Sequence, residues 1–122
     1  MPVQVILSKQ GPLPLTINFS AVSDAPVTLE VNGSVWTQTA NNLIGIQVAI
    51  DGGAVGKAQI FSNGASTHRT VVPAYIPLQL KFGQHSLTLS ALPGTSTTSD
   101  FNDFYTAVLH YQHYSRSTDY AD

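Results

Sequence analysis

The densest group of side chains able to do chemistry is Asp100, Asn102 and Asp103, standing together in a chain where only 10% of residues are charged. Carboxylates and amides of this kind bind sugar hydroxyls, and such a loop could also hold calcium. A turn whose Asx side chains bond their own backbone before the next element is the structural alternative. The only tryptophan, Trp36, could stack on the apolar face of a sugar ring, or lie buried with its N–H satisfied. Asp100, Asn102, Asp103 and Trp36 are therefore the candidate ligand-binding residues.

The four histidines, His68, His85, His110 and His113, invite a metal reading because imidazole ligates zinc, copper and non-haem iron. Their spacing opposes it. There is no His-x-His pair, and His110 and His113 have opposite parity, so on a regular strand they face opposite ways. No metal centre and no resident cofactor are expected. Gly-x-Ser-x-Gly and any phosphate-cradling loop are missing, so no catalytic motif is present and the expectation is a chain that is not an enzyme.

Composition narrows the class. At 122 residues the chain is the size of one domain. A charged fraction of 10%, against about 25% for an ordinary domain, leaves solubility to Ser, Thr, Asn, Gln and Gly. With five basic and seven acidic residues there is no footprint for a phosphate backbone, and no nucleic-acid partner is expected. The absence of cysteine excludes a disulfide framework and thiolate chemistry. The segment from Met1 to Ser8 has no basic leader and no long apolar run. Neither membrane insertion nor a cleaved signal is expected, the default being cytoplasmic, with leaderless export open.

The elements that must position these residues read as strands, because apolar side chains recur with a period of two. Leu13, Leu15, Ile17, Phe19 and Ala21 share one parity. Val27, Leu29 and Val31 alternate up to Asn32-Gly33, which has the chemistry of a tight hairpin turn before Val35, Trp36 and Thr37. Ile44, Ile46, Val48 and Ile50 lead to a second turn at Asp51-Gly52-Gly53, and Val55 to Phe61 follows. His68 to Val72 reads as a strand ended by Pro73 and Pro77, hence an edge or a crossing. Leu78, Leu80 and Phe82 face Leu87 and Leu89 across Gly83-Gln84, a third expected hairpin. Phe104 to Tyr111 closes the chain with bulk on both faces: Phe104, Val108 and His110 on one, Tyr105, Leu109 and Tyr111 on the other. The expectation is an all-β, antiparallel two-sheet sandwich of about eight to nine strands, jelly-roll type, as a single domain over residues 1–114 with a fraying tail at 115–122.

The run Val31-Asn32-Gly33-Ser34-Val35-Trp36, then Ile44 to Gly52, Leu78 to Leu89 and Asp100 to Phe104, resembles in order the jelly-roll domains of the tumour-necrosis-factor and complement globular-head families and their bacterial or phage relatives. The resemblance spans residues 13–112 and rests on strand order and a late aromatic strand. It implies a homotrimer with aromatic and aliphatic side chains along its axis, for which Tyr105, Leu109 and Tyr111 are the interface candidates. Asp100-Phe101-Asn102-Asp103 is in addition similar to the end of the metal loop in calcium-dependent bacterial lectins. Ser96 to Ser99 depart from that pattern where further acidic residues would stand. The function expected is non-enzymatic recognition of carbohydrate or a cell-surface glycan by a homo-oligomer whose shallow sites gain avidity. The alternative is a structural or assembly module, a fibre head or particle component, with no small ligand.

Overall fold

The structure, a computed structural model, describes residues 2–111. The expected domain end at 114, the tail at 115–122 and the aromatic and histidine side chains of that region, His113, Tyr114 and Tyr120, lie outside the described residues. Ten antiparallel strands make two facing sheets: β1 Val3–Gln10, β2 Leu15–Ala21, β3 Pro26–Thr37, β4 Asn42–Ile50, β5 Gly53–Ser62, β6 Arg69–Thr70, β7 Ala74–Gln79, β8 Gly83–Ala91, β9 Thr97–Thr98 and β10 Phe104–Tyr111. The larger sheet runs β1-β10-β3-β7, with the short β6 and β9 also paired to β3, and the smaller runs β2-β8-β4-β5.

Period-two alternation builds the core as expected. Val27, Leu29, Val31 and Val35 of β3, Ile44, Ile46 and Val48 of β4, Leu87 and Leu89 of β8, and Tyr105 and Leu109 of β10 fill the space between the sheets. Successive long strands pass from one sheet to the other, and among the described residues β4–β5 is the single consecutive pair of long strands that shares a sheet. That alternation is the jelly-roll wrap. The β4–β5 hairpin turns at Asp51 and Gly52, whose φ values of 51° and 85° are both positive, as a type I′ turn requires.

Two expected hairpins are corrected. Asn32-Gly33 is no turn: β3 runs straight through it, Asn32 pairing with Thr106 and Gly33 with Tyr105. Glycine stands there to make room. A Cβ at Gly33 would overlap the Tyr105 ring and lie 3.1 Å from Ile46 Cδ1. Gly33→Ala is therefore expected to cost about 2 kcal/mol, the usual scale of overpacking, read as a lower urea midpoint with unchanged slope. Gly83-Gln84 makes no hairpin either, because β7 pairs with β3 in one sheet and β8 with β2 and β4 in the other. Gly83, at φ 116°, turns the chain between layers. The strand expected from His68 to Val72 is reduced to Arg69–Thr70, and Pro77 ends no strand: it lies inside β7, opposite Thr28, on an outer strand where proline is tolerated.

The assembly residues are also corrected. Tyr105, Leu109 and Tyr111 are 0%, 0% and 5% exposed, inside one chain and covered by its own second sheet. A neighbour could meet only the opposite face of β10.

His85 ties the smaller sheet to its hairpin. Its Nδ1 lies 2.6 Å from Asp51 Oδ2 and its Nε2 2.7 Å from the Lys81 carbonyl oxygen, while Ser86 N–H donates to Asp51 Oδ1 at 2.8 Å. Both partners of the ring are acceptors, so the two bonds together need the protonated imidazole. The bond to Asp51, with that to the Lys81 carbonyl, holds His85 above the ordinary histidine range, and the bond from His85 holds Asp51 below the ordinary carboxylate range. The stabilisation is complete below the unfolded histidine value of about 6.5 and is lost as pH rises through the higher folded value; the Asp51 contribution is present above about 3.9 and is lost as pH falls through its lower folded value. Denaturation midpoints should therefore peak in mildly acidic buffer and fall toward alkaline pH. In His85→Gln the alkaline decline should be shallower; an unchanged decline would remove His85 from the account.

Candidate functional site

The inward parity of β3 sends Glu30, Asn32, Ser34 and Trp36 to the outer face of the larger sheet, beside Phe104, Thr106, Val108 and His110 of β10. Asn32, Gly33, Ser34, Thr70, Phe104 and Thr106 line a shallow open groove there. Phe104 is 47% exposed, and the groove's other side chains are amide and hydroxyl groups. At one end Glu30 accepts from Asn32 Nδ2 at 2.9 Å and lies 2.7 Å from His110 Nε2. The His110 bond, with that of Asn32, holds the Glu30 carboxyl below its usual range.

At the other end stands the turn that precedes β10. Asn102 N–H donates to Asp100 Oδ1 at 2.8 Å and Asp103 N–H to the Asp100 carbonyl at 3.1 Å, the Asx turn that residues of this type favour. Asp103 is fully buried. Its Oδ1 accepts from the Ser34 hydroxyl and pairs with His68 Nδ1, each at 2.7 Å, and its Oδ2 accepts from Asp100 N–H at 2.8 Å. One carboxylate thus joins β3, the loop before β6 and its own turn. The bond to Asp103, reinforced by the charges of Asp103 and Asp100, raises the His68 pKa above the ordinary value. The His68 ring sits 5.9 Å from that of Trp36, tilted by 41°.

Of the residues singled out from the sequence, Asp100, Asp103 and Trp36 are brought together around His68, while Asn102 lies exposed on the turn. Asp103 is spent on holding the site rather than open to a ligand. Trp36 is half-buried on the outer face, its Nε1 shut off from solvent and without a hydrogen-bond partner among the described residues. Ser34, Thr70, Phe104, Thr106 and the role of His68 escaped the sequence reading. Ser34 and His68 are 69 and 35 residues from Asp103, so no local spacing announces them.

Ser34, His68 and Asp103 meet, but the serine donates to the aspartate and not to the imidazole. The grouping supplies no base to a nucleophile. Donor atoms of His68, Asp100 and Asp103 lie within 4.8 Å of one another. As bonded, the cluster leaves Asp100 Oδ2 as its free carboxylate oxygen, whereas calcium takes six to eight oxygens. Asp103 itself is fully buried and already accepts three hydrogen bonds.

No protein-family model matches the chain, and no curated protein does. Among solved structures, the insecticidal delta-endotoxin Cry8Ea1 from Bacillus thuringiensis is similar over 87% of this chain, with a TM-score of 0.54 and 10% identity. The shared feature is the sandwich fold. This chain spans 19% of the endotoxin's length. A family 35 carbohydrate-binding module from Clostridium thermocellum is similar at TM-score 0.49 and 12% identity, over 88% of this chain and 98% of the module. The carbohydrate-binding module CBM36, in complex with calcium and xylotriose, is similar at TM-score 0.47 and 11% identity, over 92% of this chain and all of the module.

Proposed function

We propose that the chain is a non-enzymatic recognition module that binds carbohydrate in the groove on the outer face of the larger sheet. The observation that carries this reading is a half-exposed aromatic ring, Phe104, set among Asn32, Ser34, Thr70 and Thr106 on the sheet face. Sugars present apolar C–H faces that an aromatic ring covers and hydroxyls that amides and hydroxyls bond, and strands hold such groups at fixed separations. Asp100 and Asn102 stand at the entry to β10 as additional polar contacts.

The test is a glycan array followed by titration of the best ligand. Phe104→Ala, which removes an outward side chain, should keep its circular-dichroism spectrum and lose affinity by about tenfold, the scale of a lost aromatic contact. No glycan bound, or full affinity in Phe104→Ala, would sink the reading. Repeating the array with a calcium chelator decides whether that ion takes part.

A second reading, assembly without a small ligand, draws on the same face. Val3, Val5 and Tyr75 are exposed there, with Val5 beside Val108 and Tyr75 beside Glu30. A homotrimer of the tumour-necrosis-factor type would use this surface and leave Tyr105, Leu109 and Tyr111 in the core. Light scattering at high concentration tests it, and a strict monomer removes both the assembly and the avidity.

A further inference from the structure

Each of the histidines His68, His85 and His110 is paired with a carboxylate, but they are paired differently. His85 uses both ring nitrogens on acceptors, Asp51 and the Lys81 carbonyl, and His110 uses Nε2 on Glu30. His68, like His85, pairs through Nδ1, but it alone of the three does so with a fully buried carboxylate, Asp103, and turns Nε2 toward a second carboxylate, Asp100 Oδ2, at 3.7 Å. That separation is too long for a hydrogen bond. It is within the span of two atoms that share one ion at bond lengths of about 2.0–2.2 Å.

The surroundings fit the same chemistry. A metal-bound histidine characteristically donates its other ring N–H to a carboxylate, which fixes tautomer and ring orientation. Here that carboxylate is Asp103, itself held by the Ser34 hydroxyl. Asp100 is set in the same way, because Asn102 N–H occupies Oδ1 and leaves Oδ2 free. Both outward groups are accessible, with side chains 36% and 41% exposed. We propose that His68 Nε2 and Asp100 Oδ2 are the protein ligands of a transition-metal site of the zinc, nickel or copper class, with its remaining positions open to water. An imidazole nitrogen with one carboxylate oxygen suits these ions, whereas magnesium and calcium favour sites made of oxygen alone. The spacing of the histidines along the chain argued against a metal because it compared histidines with one another; the partner is an aspartate 32 positions on, brought near by the fold.

Trp36 supplies the readout, since it is the chain's single tryptophan and its ring lies 5.9 Å from that of His68. Copper(II) chloride added to the untagged full chain in a non-coordinating buffer should quench the tryptophan fluorescence saturably, and excess zinc(II) should reverse the quenching by competition. Asp100→Asn keeps the oxygen that Asn102 N–H requires and loses the ligand charge, so half-saturation should move to about tenfold higher copper or more. His68→Gln should do the same; if it fails to fold, Asp100→Asn decides alone. Quenching that does not saturate, or a half-saturation unchanged in Asp100→Asn, overturns the proposal. Copper taken up elsewhere on the chain without quenching Trp36 overturns it as well.

Discussion

Asp103→Ala is expected to lower the unfolding free energy by about 4 kcal/mol, because it removes the acceptor of three hydrogen bonds, in which bonds to charged groups count for about 1.5–3 kcal/mol each. Ser34, His68 and the Asp100 amide would lose their common partner together, and a small side chain at a fully buried position also leaves a void. Against a total stability of about 5–15 kcal/mol for a domain, this is the most damaging change expected in the site. Asp103→Asn should cost less, about 2 kcal/mol, since its amide oxygen can still accept from Ser34 and His68 while its NH2 meets the Asp100 N–H. Urea unfolding of the pair checks both. A loss under about 1 kcal/mol in Asp103→Ala, the worth of a single ordinary hydrogen bond, would mean that the carboxylate does not organise the loop.

The second large effect is expected far from any polar cluster. Gly45→Ala should cost about 3 kcal/mol, at the upper end of overpacking, because its new Cβ would overlap the Ala58 carbonyl oxygen and lie 2.9 Å from Gln59 Cβ and 3.0 Å from Gln59 Cα. These are mostly backbone or backbone-anchored atoms of β5, which cannot swing aside as a side-chain tip can. Nor is the glycine free to shift, since its N–H donates to Thr97 Oγ1 and its carbonyl accepts from Leu92 N–H, each at 3.0 Å. At Gly33, by contrast, the obstacles are side chains, and the smaller penalty predicted above reflects that. Thermal and urea unfolding of Gly45→Ala beside Gly33→Ala gives the comparison. If the Gly33 variant were the weaker of the two, side-chain rather than backbone rigidity would govern the tolerance of this sandwich.

Much of the architecture is legible in the sequence. Alternation in Val27-Leu29-Val31 and Ile44-Ile46-Val48-Ile50 marks half-buried strands, since a pleated backbone sends neighbouring side chains to opposite faces. Asp51-Gly52 reads correctly as a hairpin because a type I′ turn depends on what those two residues tolerate. The same logic fails at Asn32-Gly33, where equally suitable turn residues lie in mid-strand. There the ring of Tyr105 from β10 demands an absent side chain, and no local pattern reports a neighbour 72 positions away. It fails again at Gly83-Gln84, because two apolar runs flanking a glycine look alike whether they pair with each other or join different sheets.

The candidate site divides along the same line. Asp100, Asn102 and Asp103 are visible as a cluster because they are close in sequence, and the turn they form is a matter of local hydrogen bonding. Their meaning is not local. Burial of Asp103 under Ser34 and His68 turns it from a ligand candidate into the support of one, and leaves Asp100 and His68 facing outward. The final strand makes the point most clearly. By itself the sequence determined that Phe104 to Tyr111 carries bulk on both faces, because period two is a property of the strand alone. Only the tertiary structure decided which face is which: the second sheet covers Tyr105, Leu109 and Tyr111, so Phe104, Thr106, Val108 and His110 are left for whatever the protein meets. Pairing across long separations is set by how two whole apolar faces fit, and that sum over many residues is not written in any one segment.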